Sequence, residues 1–487
     1  MIMAVILIPI IAGILVPMLP FQKRSHMEVF LECMVTFNSI LVWYLLFHHQ
    51  DSIFTLAHFT GDLTISFRVD GMSMVFAGLV SALWPLATLY SFEYMTKERN
   101  ERIFFMFYTM TYGVTLGIAF AANMMTMYFF YELLTVVTVP LVMHTLSREA
   151  ILASRKYLYY SLGGAAFAFI SLIFIIVYGD TMDFVLGGVL NPDKIGDRTN
   201  VLLLIYVMAF MGFGVKAAVC PLNSWLPQAG VAPTPVTALL HAVAVVKAGA
   251  FAIIRLTFYS FGAEFLRDTW AQRLLMVIVM FTIVYGCSRA VKETHIKRRL
   301  AYSTISNLSY ILFGVVLMTP LGMVGALSHL VFHAVMKICS FFCAGAIMHQ
   351  TDKHYVHELD GLGRRMPMVF GIFTVSAFAL MGVPGLAGFI SKWNLATAAM
   401  ESGNVWAYAG VGCLLVSALL TAIYMLTITV RGFFPAQGFD DSSLGNAKDP
   451  NWKMLLPLGT FVVFIVYFGL RSAPIVDFFV KVAEGVY

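Results

Sequence analysis

Charge is what this chain has least of. Only 12% of its 487 residues are Asp, Glu, Lys or Arg, while 60% are apolar; a soluble domain carries about 25% charged residues. With a mean hydropathy of +0.83, a soluble enzyme is excluded and a polytopic membrane protein is expected. Paired cysteines are also missing. The six present (Cys33, Cys220, Cys287, Cys339, Cys343 and Cys413) lie in or beside apolar segments and form no CxxC, so neither a disulfide framework nor a zinc site is indicated. The net charge of +5 is too small to point to nucleic acid. No basic region or small-residue cleavage site accompanies the apolar run at Met1, which predicts a retained first span.

What is present is a succession of apolar runs. A span needs about 20 mainly apolar residues. Fourteen segments qualify, at roughly 2–19, 29–48, 71–92, 103–121, 123–146, 157–178, 201–220, 236–256, 271–288, 300–318, 321–348, 367–397, 404–430 and 454–470. Residues 51–70 instead alternate polar and apolar around Gly61-Asp62, the pattern of a short β-hairpin outside the membrane. The linkers at about 179–200 and 433–453 are polar and rich in Gly, Asp and Asn, and no soluble domain fits between the spans. Lys and Arg follow the same frame: 19 fall in loops after odd-numbered spans, against 8 after even-numbered spans and at the termini. The positive-inside rule then puts both termini and the hairpin outside. A cell inner (plasma) membrane location is expected.

The polar residues inside these runs carry the functional reading, because an ionisable group at mid-membrane is costly. Glu132 stands alone in YFFYELLTVV, whereas Glu32 and Glu93, nearer span ends, are expected to be solvated. The stretch from Gly214 to Arg255 holds Lys216 and Lys247 with Pro221, Pro227, Pro233 and Pro235 between them. A proline removes a helix donor, and in membranes such a break usually lines an ion path. A desolvated lysine loses affinity for its proton and a nearby carboxylate restores it, so Glu132 and Lys216 are read as a proton switch. Six residues separate His241 from Lys247, about 600° of rotation, so one face holds both only if the helix is distorted.

His329, His333 and Lys337 recur at i, i+4 and i+8 on one helical face. That spacing also suits haem or a metal, but no carboxylate or cysteine pair accompanies it, and a histidine–lysine relay is the reading adopted. Lys392 follows Gly382, Pro384, Gly385 and Gly388, a second break beside a lysine. Two such breaks suggest two related halves. The match is degenerate, since the tenth run offers Ser303, Ser306, Asn307 and Tyr310 but no acid to answer Glu132.

PLNSWLPQAGVAPTPVTALLH, RRLAYSTISNLSYI and LAGFISKW, in that order, resemble the signatures of the antiporter-like membrane subunits. These include the proton-pumping subunits of respiratory complex I, the A and D subunits of Mrp-type Na+/H+ antiporters and their counterparts in membrane-bound hydrogenases. The resemblance spans nearly the whole chain. It implies one all-α transmembrane domain over 1–487, with two inverted five-helix repeats at about 103–256 and 271–430. It also implies a path in which Glu132 and Lys216 are the coupled pair, Lys247 the central relay, with His241 beside it, and Lys392 the distal proton site. His329, His333 and Lys337 bridge between them. Many members carry an acid where Gln228 stands here, and Lys392 disfavours the complex I member with glutamate at the distal site. The expected partners are other membrane subunits, paralogous antiporter-like subunits among them, with H+ and Na+ as the candidate ions. No cofactor is expected in this chain. The D-type component of a Mrp antiporter is the alternative within the family, and a solitary membrane enzyme using a histidine is the alternative outside it.

Overall fold

A computed structural model describes residues 1–487 except 49–51, 62, 436–438, 440–443 and 487. A helix occupies each of the fourteen apolar runs. Among the described residues ten helices are both long and apolar enough to cross a membrane, and Ile2–Met18 and Pro367–Met381 are shorter apolar helices. Helices dominate because hydrocarbon offers no partner to backbone N–H and C=O groups, so each segment must satisfy its own. Their starts are marked by side-chain caps that take up otherwise orphaned amides. Asn123 accepts from the Thr126 amide at 2.8 Å, and Asp70 from the Ser73 amide at 2.9 Å.

Phe54–Thr60 and Leu63–Phe67 pair antiparallel, Phe54 opposite Phe67 and Thr60 opposite Leu63. This is the hairpin expected at 51–70; its Asp62 lies outside the described residues. Phe67, on the hairpin's inner face, is fully buried, which anchors the hairpin on the bundle. The helix Ala473–Ala483 has no counterpart among the predicted spans. It buries Phe479, Val482 and Ala483 on one side, and at eleven residues it is too short to span.

Depth within the bundle decides where the chemistry can lie. The most apolar 18-residue stretches of Thr234–Phe261 and Pro320–Thr351 are wholly buried by protein, whereas only 28% of that of Trp452–Leu470 is. Outer helices turn large apolar side chains outward, as Phe37 and Ile40 do on Arg24–Phe47. Such a surface suits lipid or neighbouring subunits rather than water.

Three helices depart from regularity. Thr199–Gly214 stops two residues before Lys216. Pro367–Met381 and Ala387–Glu401 divide the run expected at 367–397 into two helices. Within Thr234–Phe261, residues Leu239–Val243 form a π-helical turn, closed by the Ala244 amide on the Leu239 carbonyl at 2.9 Å. This is the distortion that placing His241 and Lys247 along one path requires, and π-turns occur frequently at functional sites.

Candidate functional site at the helix breaks

At the first break the regular helical ladder gives way to turns, with the Ala217 amide on the Phe213 carbonyl at 3.3 Å and the Ala218 amide on the Val215 carbonyl at 3.1 Å. Three side chains help satisfy its backbone. The Tyr131 hydroxyl donates to the Phe213 carbonyl at 3.2 Å, Trp225 Nε1 donates to the Val215 carbonyl at 2.8 Å, and the Cys220 amide donates to Thr282 Oγ1 at 3.2 Å. Lys216 is fully buried here. Its ammonium donates to the Tyr131 carbonyl and lies 3.4 Å from the centre of the Tyr131 ring. Glu132, the next residue along that helix, is close enough to act on the charge of Lys216. Among the described residues no ion pair within 4.0 Å joins them, and Glu132 Oε1 is buried without a hydrogen-bond partner. The pair is therefore neighbouring but separated, with a tyrosine carbonyl holding the lysine.

The broken segment reaches this position because Gly249 faces it. A Cβ on Gly249 would stand 2.6 Å from the Ala217 amide nitrogen and 3.0 Å from Lys216 Cβ. Backbone cannot yield at that distance, so any side chain at 249 moves the lysine.

Beyond lies an unbroken line of contacts in the enclosed core. Lys247 Nζ is 2.9 Å from His333 Nδ1. His333 stacks on His329 with ring centres 5.5 Å apart, and His329 stacks on Tyr310 at 5.1 Å. His329 Nδ1 is 2.9 Å from Ser391 Oγ, one residue before Lys392. Both Nε2 atoms, of His329 and of His333, are buried without a partner. His241 rests against Phe341 with ring centres 4.9 Å apart, and neither of its nitrogens has a hydrogen-bond partner among the described residues. Lys337 branches off: its ammonium donates to Ser303 Oγ at 2.7 Å, which also accepts from the Tyr424 hydroxyl at 2.7 Å.

The second break is built differently. Gly382 adopts φ +94°, a left-handed conformation, and ends Pro367–Met381. The Val383 amide returns to the Phe378 carbonyl at 3.0 Å, a glycine-terminated C-cap. Lys392 Nζ takes the last carbonyls, Leu380 at 2.7 Å and Met381 at 2.9 Å. A cation suits the negative end of a helix, so this lysine caps the break it sits beside. Its ammonium also lies 5.3 Å from the Tyr310 ring centre.

Of the eight residues singled out, Lys247, His329 and His333 form one contact chain that reaches Lys392 through Tyr310 and Ser391. Glu132 with Lys216, Lys337 and His241 stand apart from it. Among the described residues no group of three or more His, Cys, Asp or Glu is arranged to hold a metal.

The NADH:quinone oxidoreductase/Mrp antiporter transmembrane model matches residues 121–426 of this chain, which hold both breaks and all eight residues. The chain belongs to that family. A second model, the N-terminus of NADH-ubiquinone oxidoreductase (complex I) chain 5, matches residues 57–105. Among curated relatives of this antiporter-family chain, NAD(P)H-quinone oxidoreductase chain 4-3 of Nostoc sp. strain PCC 7120 is 28% identical, over 88% of this chain and 77% of the relative. Chain 4 of Synechococcus sp. strain WH7803 is 27% identical over 97% and 86%. The fold is that of chains in three solved assemblies. The archaeal membrane-bound sulfane sulfur reductase matches with a TM-score of 0.84 and 22% identity, over 99% of this chain and 97% of that one. The Mrp complex from Dietzia sp. DQ12-45-1b matches at 0.84 and 20%, over 100% and 97%. Respiratory complex I from Thermus thermophilus matches at 0.82 and 21%, over 99% and 98%.

Sequence reasoning missed several members of this family chain's polar core. Ser391, Gly249 and Tyr424 carried no signal, because serine, glycine and tyrosine are ordinary in packed membrane helices. Ser303 and Tyr310 stand out in the sequence only as substitutes for a missing acid; they are the partners of Lys337 and of His329. Glu32 was expected to be solvated, but one of its carboxyl oxygens is buried without a partner. Its helix begins at Arg24, five residues earlier than the apolar run, which carries Glu32 deeper into the bundle.

Proposed function

We propose that this chain is a proton-translocating antiporter-like subunit of a multisubunit, redox-driven ion pump. The fourteen helices are read as fourteen spans forming one domain over 1–487, with inverted repeats at about 103–256 and 271–430. The observation that carries the reading is the line Lys247–His333–His329, on the two most enclosed helices, continued to Ser391 of Ala387–Glu401. Bases in a row at mid-membrane, hydrogen-bonded at Lys247–His333 and His329–Ser391 and stacked between the two histidines, with no carboxylate in an ion pair with any of them among the described residues, suit a single mobile proton passed along the row. Several fixed charges there would repel one another. Glu132 and Lys216 load the path, His241 flanks Lys247 at the π-turn, Lys337 supplies a branch, and Lys392 is the distal site.

The relatives named chain 4 of NAD(P)H-quinone oxidoreductases support a redox-driven assembly in which other subunits hold the redox centres. The chain itself is proposed to hold no cofactor. It would lie in the inner (plasma) membrane with both termini outside, among membrane subunits that include antiporter-like paralogues. The D-type component of a Mrp-type Na+/H+ antiporter is the second reading, supported by an equally close fold match.

The test is ion transport by the native complex in proteoliposomes, with assembly measured separately. Lys392→Ala should abolish transport and leave assembly intact. Lys392→Arg should not restore it, because arginine holds its proton at any accessible pH. Wild-type transport in Lys392→Ala would remove Lys392 from the path.

A further inference from the structure

A second seam of buried polar side chains lies away from both helix breaks, where Arg24–Phe47, Gly71–Tyr94 and Glu101–Ala119 meet. Glu32, Val35 and Ser39 follow i, i+3 and i+7 on the first helix, one face. Ser39 Oγ is 2.8 Å from the Tyr112 hydroxyl, and Asn38 lies alongside that hydroxyl. The Trp84 ring stacks on Tyr112 with centres 4.9 Å apart and tilts against Tyr108 at 5.6 Å. Tyr108 in turn lies close enough to Glu32 to feel its charge. The group is thus continuous from Glu32 to Asn38, about 9 Å along the helix.

This seam is polar yet unfinished. Glu32 Oε2, both polar atoms of the Asn38 side chain, Trp84 Nε1 and the Tyr108 hydroxyl are buried without hydrogen-bond partners. Asn38, Trp84 and Tyr108 are completely inaccessible. One orphan is an ordinary packing defect, but several orphans aimed into one seam are the condition under which buried water is held. Trp84 Nε1 can only donate, which suits water and disfavours a bare metal cation. One turn before Glu32 the seam meets an ion network at the helix end. Arg24 pairs with Glu101 at 2.7 Å and with Glu28 at 3.3 Å, and Lys453 of Trp452–Leu470 pairs with Glu28 at 2.7 Å. Tyr108 is the titratable group close to Glu32, whose carboxyl also meets the Thr36 hydroxyl; the ion network lies toward the helix end. Glu93 of Gly71–Tyr94 lies near His349 instead.

We propose that this seam is a second proton-binding site, in which Glu32 takes a proton from the Arg24 end of the bundle and the protonated carboxyl is solvated by waters held by Tyr108 beside it and by Trp84 and Asn38 farther along the helix. A hydronium ion becomes water and the carboxylate becomes a neutral carboxyl. No other group changes its bonding. Among the described residues no hydrogen bond or ion pair joins Glu32 to a residue of the Glu132–Lys392 path, so the inference does not rest on the function proposed above.

The test is infrared difference spectroscopy of the native complex, isolated through a tag on this chain and titrated with acid in H2O and in D2O. A carbonyl stretch of a protonated carboxyl should grow as the pH falls, shift down in D2O and be missing from Glu32→Gln. The band should also move in Tyr108→Phe. Two results would overturn the site: a spectrum unchanged by Glu32→Gln, or a band that never exchanges with D2O, as a sealed structural carboxyl would behave. If Glu32→Gln fails to assemble, Tyr108→Phe decides, because a titrating band that it leaves unmoved refutes the seam. The readout is a protonation, so loss of transport in Lys392→Ala leaves it untouched.

Discussion

Lys216 and Lys392 stand at the two breaks with different tasks for their ammonium groups. Lys392 caps its own helix end, while Lys216 is held by the Tyr131 carbonyl of a neighbouring helix. Glu132 sits beside that carbonyl and is not paired with Lys216. On the proposed reading of the pair as a switch between paired and separated states, this is the separated arrangement. If the two residues act as one unit, Glu132→Gln and Lys216→Met should each cut coupled transport by about 5–150-fold, the range of ordinary coupling energies. The double variant should be little worse than either single, because members of one unit are non-additive. Proteoliposome assays of all four proteins would decide. Losses that multiply would end the coupling idea, and a silent Glu132→Gln would leave Glu132 a packing residue.

At the scale of the helix, the breaks depend on residues with no chemistry of their own. Gly382 occupies left-handed backbone, where a side chain costs roughly 1–2 kcal/mol, and a Cβ there would meet Lys392 Cδ at 3.0 Å. Gly382→Ala should therefore displace the lysine and depress transport while the complex still assembles. Gly371→Ala, on the same helix with nothing within 4 Å of its Cβ position, should be neutral in the same assay. A second device ties the broken helix to the hairpin end of the bundle. Arg255, fully buried, makes two hydrogen bonds to Asp70, at 2.7 and 2.8 Å. Burial alone would raise the Asp70 carboxyl, but the Arg255 charge and hydrogen bonds, with Arg68 and the Ser73 amide, hold it well below the usual carboxylate range. A folded pKa below the unfolded one stabilises while the group is ionised. The contribution is complete above the unfolded value, about 3.9, and is lost as the pH falls through the folded one. Asp70→Asn strands a buried arginine, at a cost of roughly 3–5 kcal/mol. The variant should melt below wild type at neutral pH, with a gap that persists down to about pH 4 and narrows only beneath it. A gap already closed near pH 6 would mean that the pair contributes little.

For the whole molecule the open question is which side faces which. The Lys and Arg bias assigns the short link after Trp270–Lys292 to the cytoplasm and the hairpin to the outside. Thr294 and Phe59 are both exposed. A cysteine at 294 should react with a membrane-impermeant maleimide from the cytoplasmic side, and one at 59 from the outer side, each with Cys33 replaced by serine. The opposite pattern would invert the topology.

The sequence by itself was enough for the class of molecule, most of its apolar helices and the hairpin, and it marked the eight polar residues within the apolar runs, because each rests on a local cost. An apolar run must be buried, a proline or glycine must interrupt a helix, and a charge in hydrocarbon must have a reason. Partnership was decided only by the tertiary structure. Lys247 and His333 are 86 residues apart, and nothing in either segment specifies that their ends meet. His241 and Lys247 are misaligned on a regular helix; the π-turn at Leu239–Val243 distorts that helix between them, and His241 still packs against Phe341 rather than joining the Lys247 line. Glu32 looks like an interfacial acid in the sequence because its distance from a span edge is visible and the neighbouring Tyr108, brought beside it by packing, is not. Spacing along the chain records which groups exist at a given depth. Only packing between helices distant in sequence determines which of them touch.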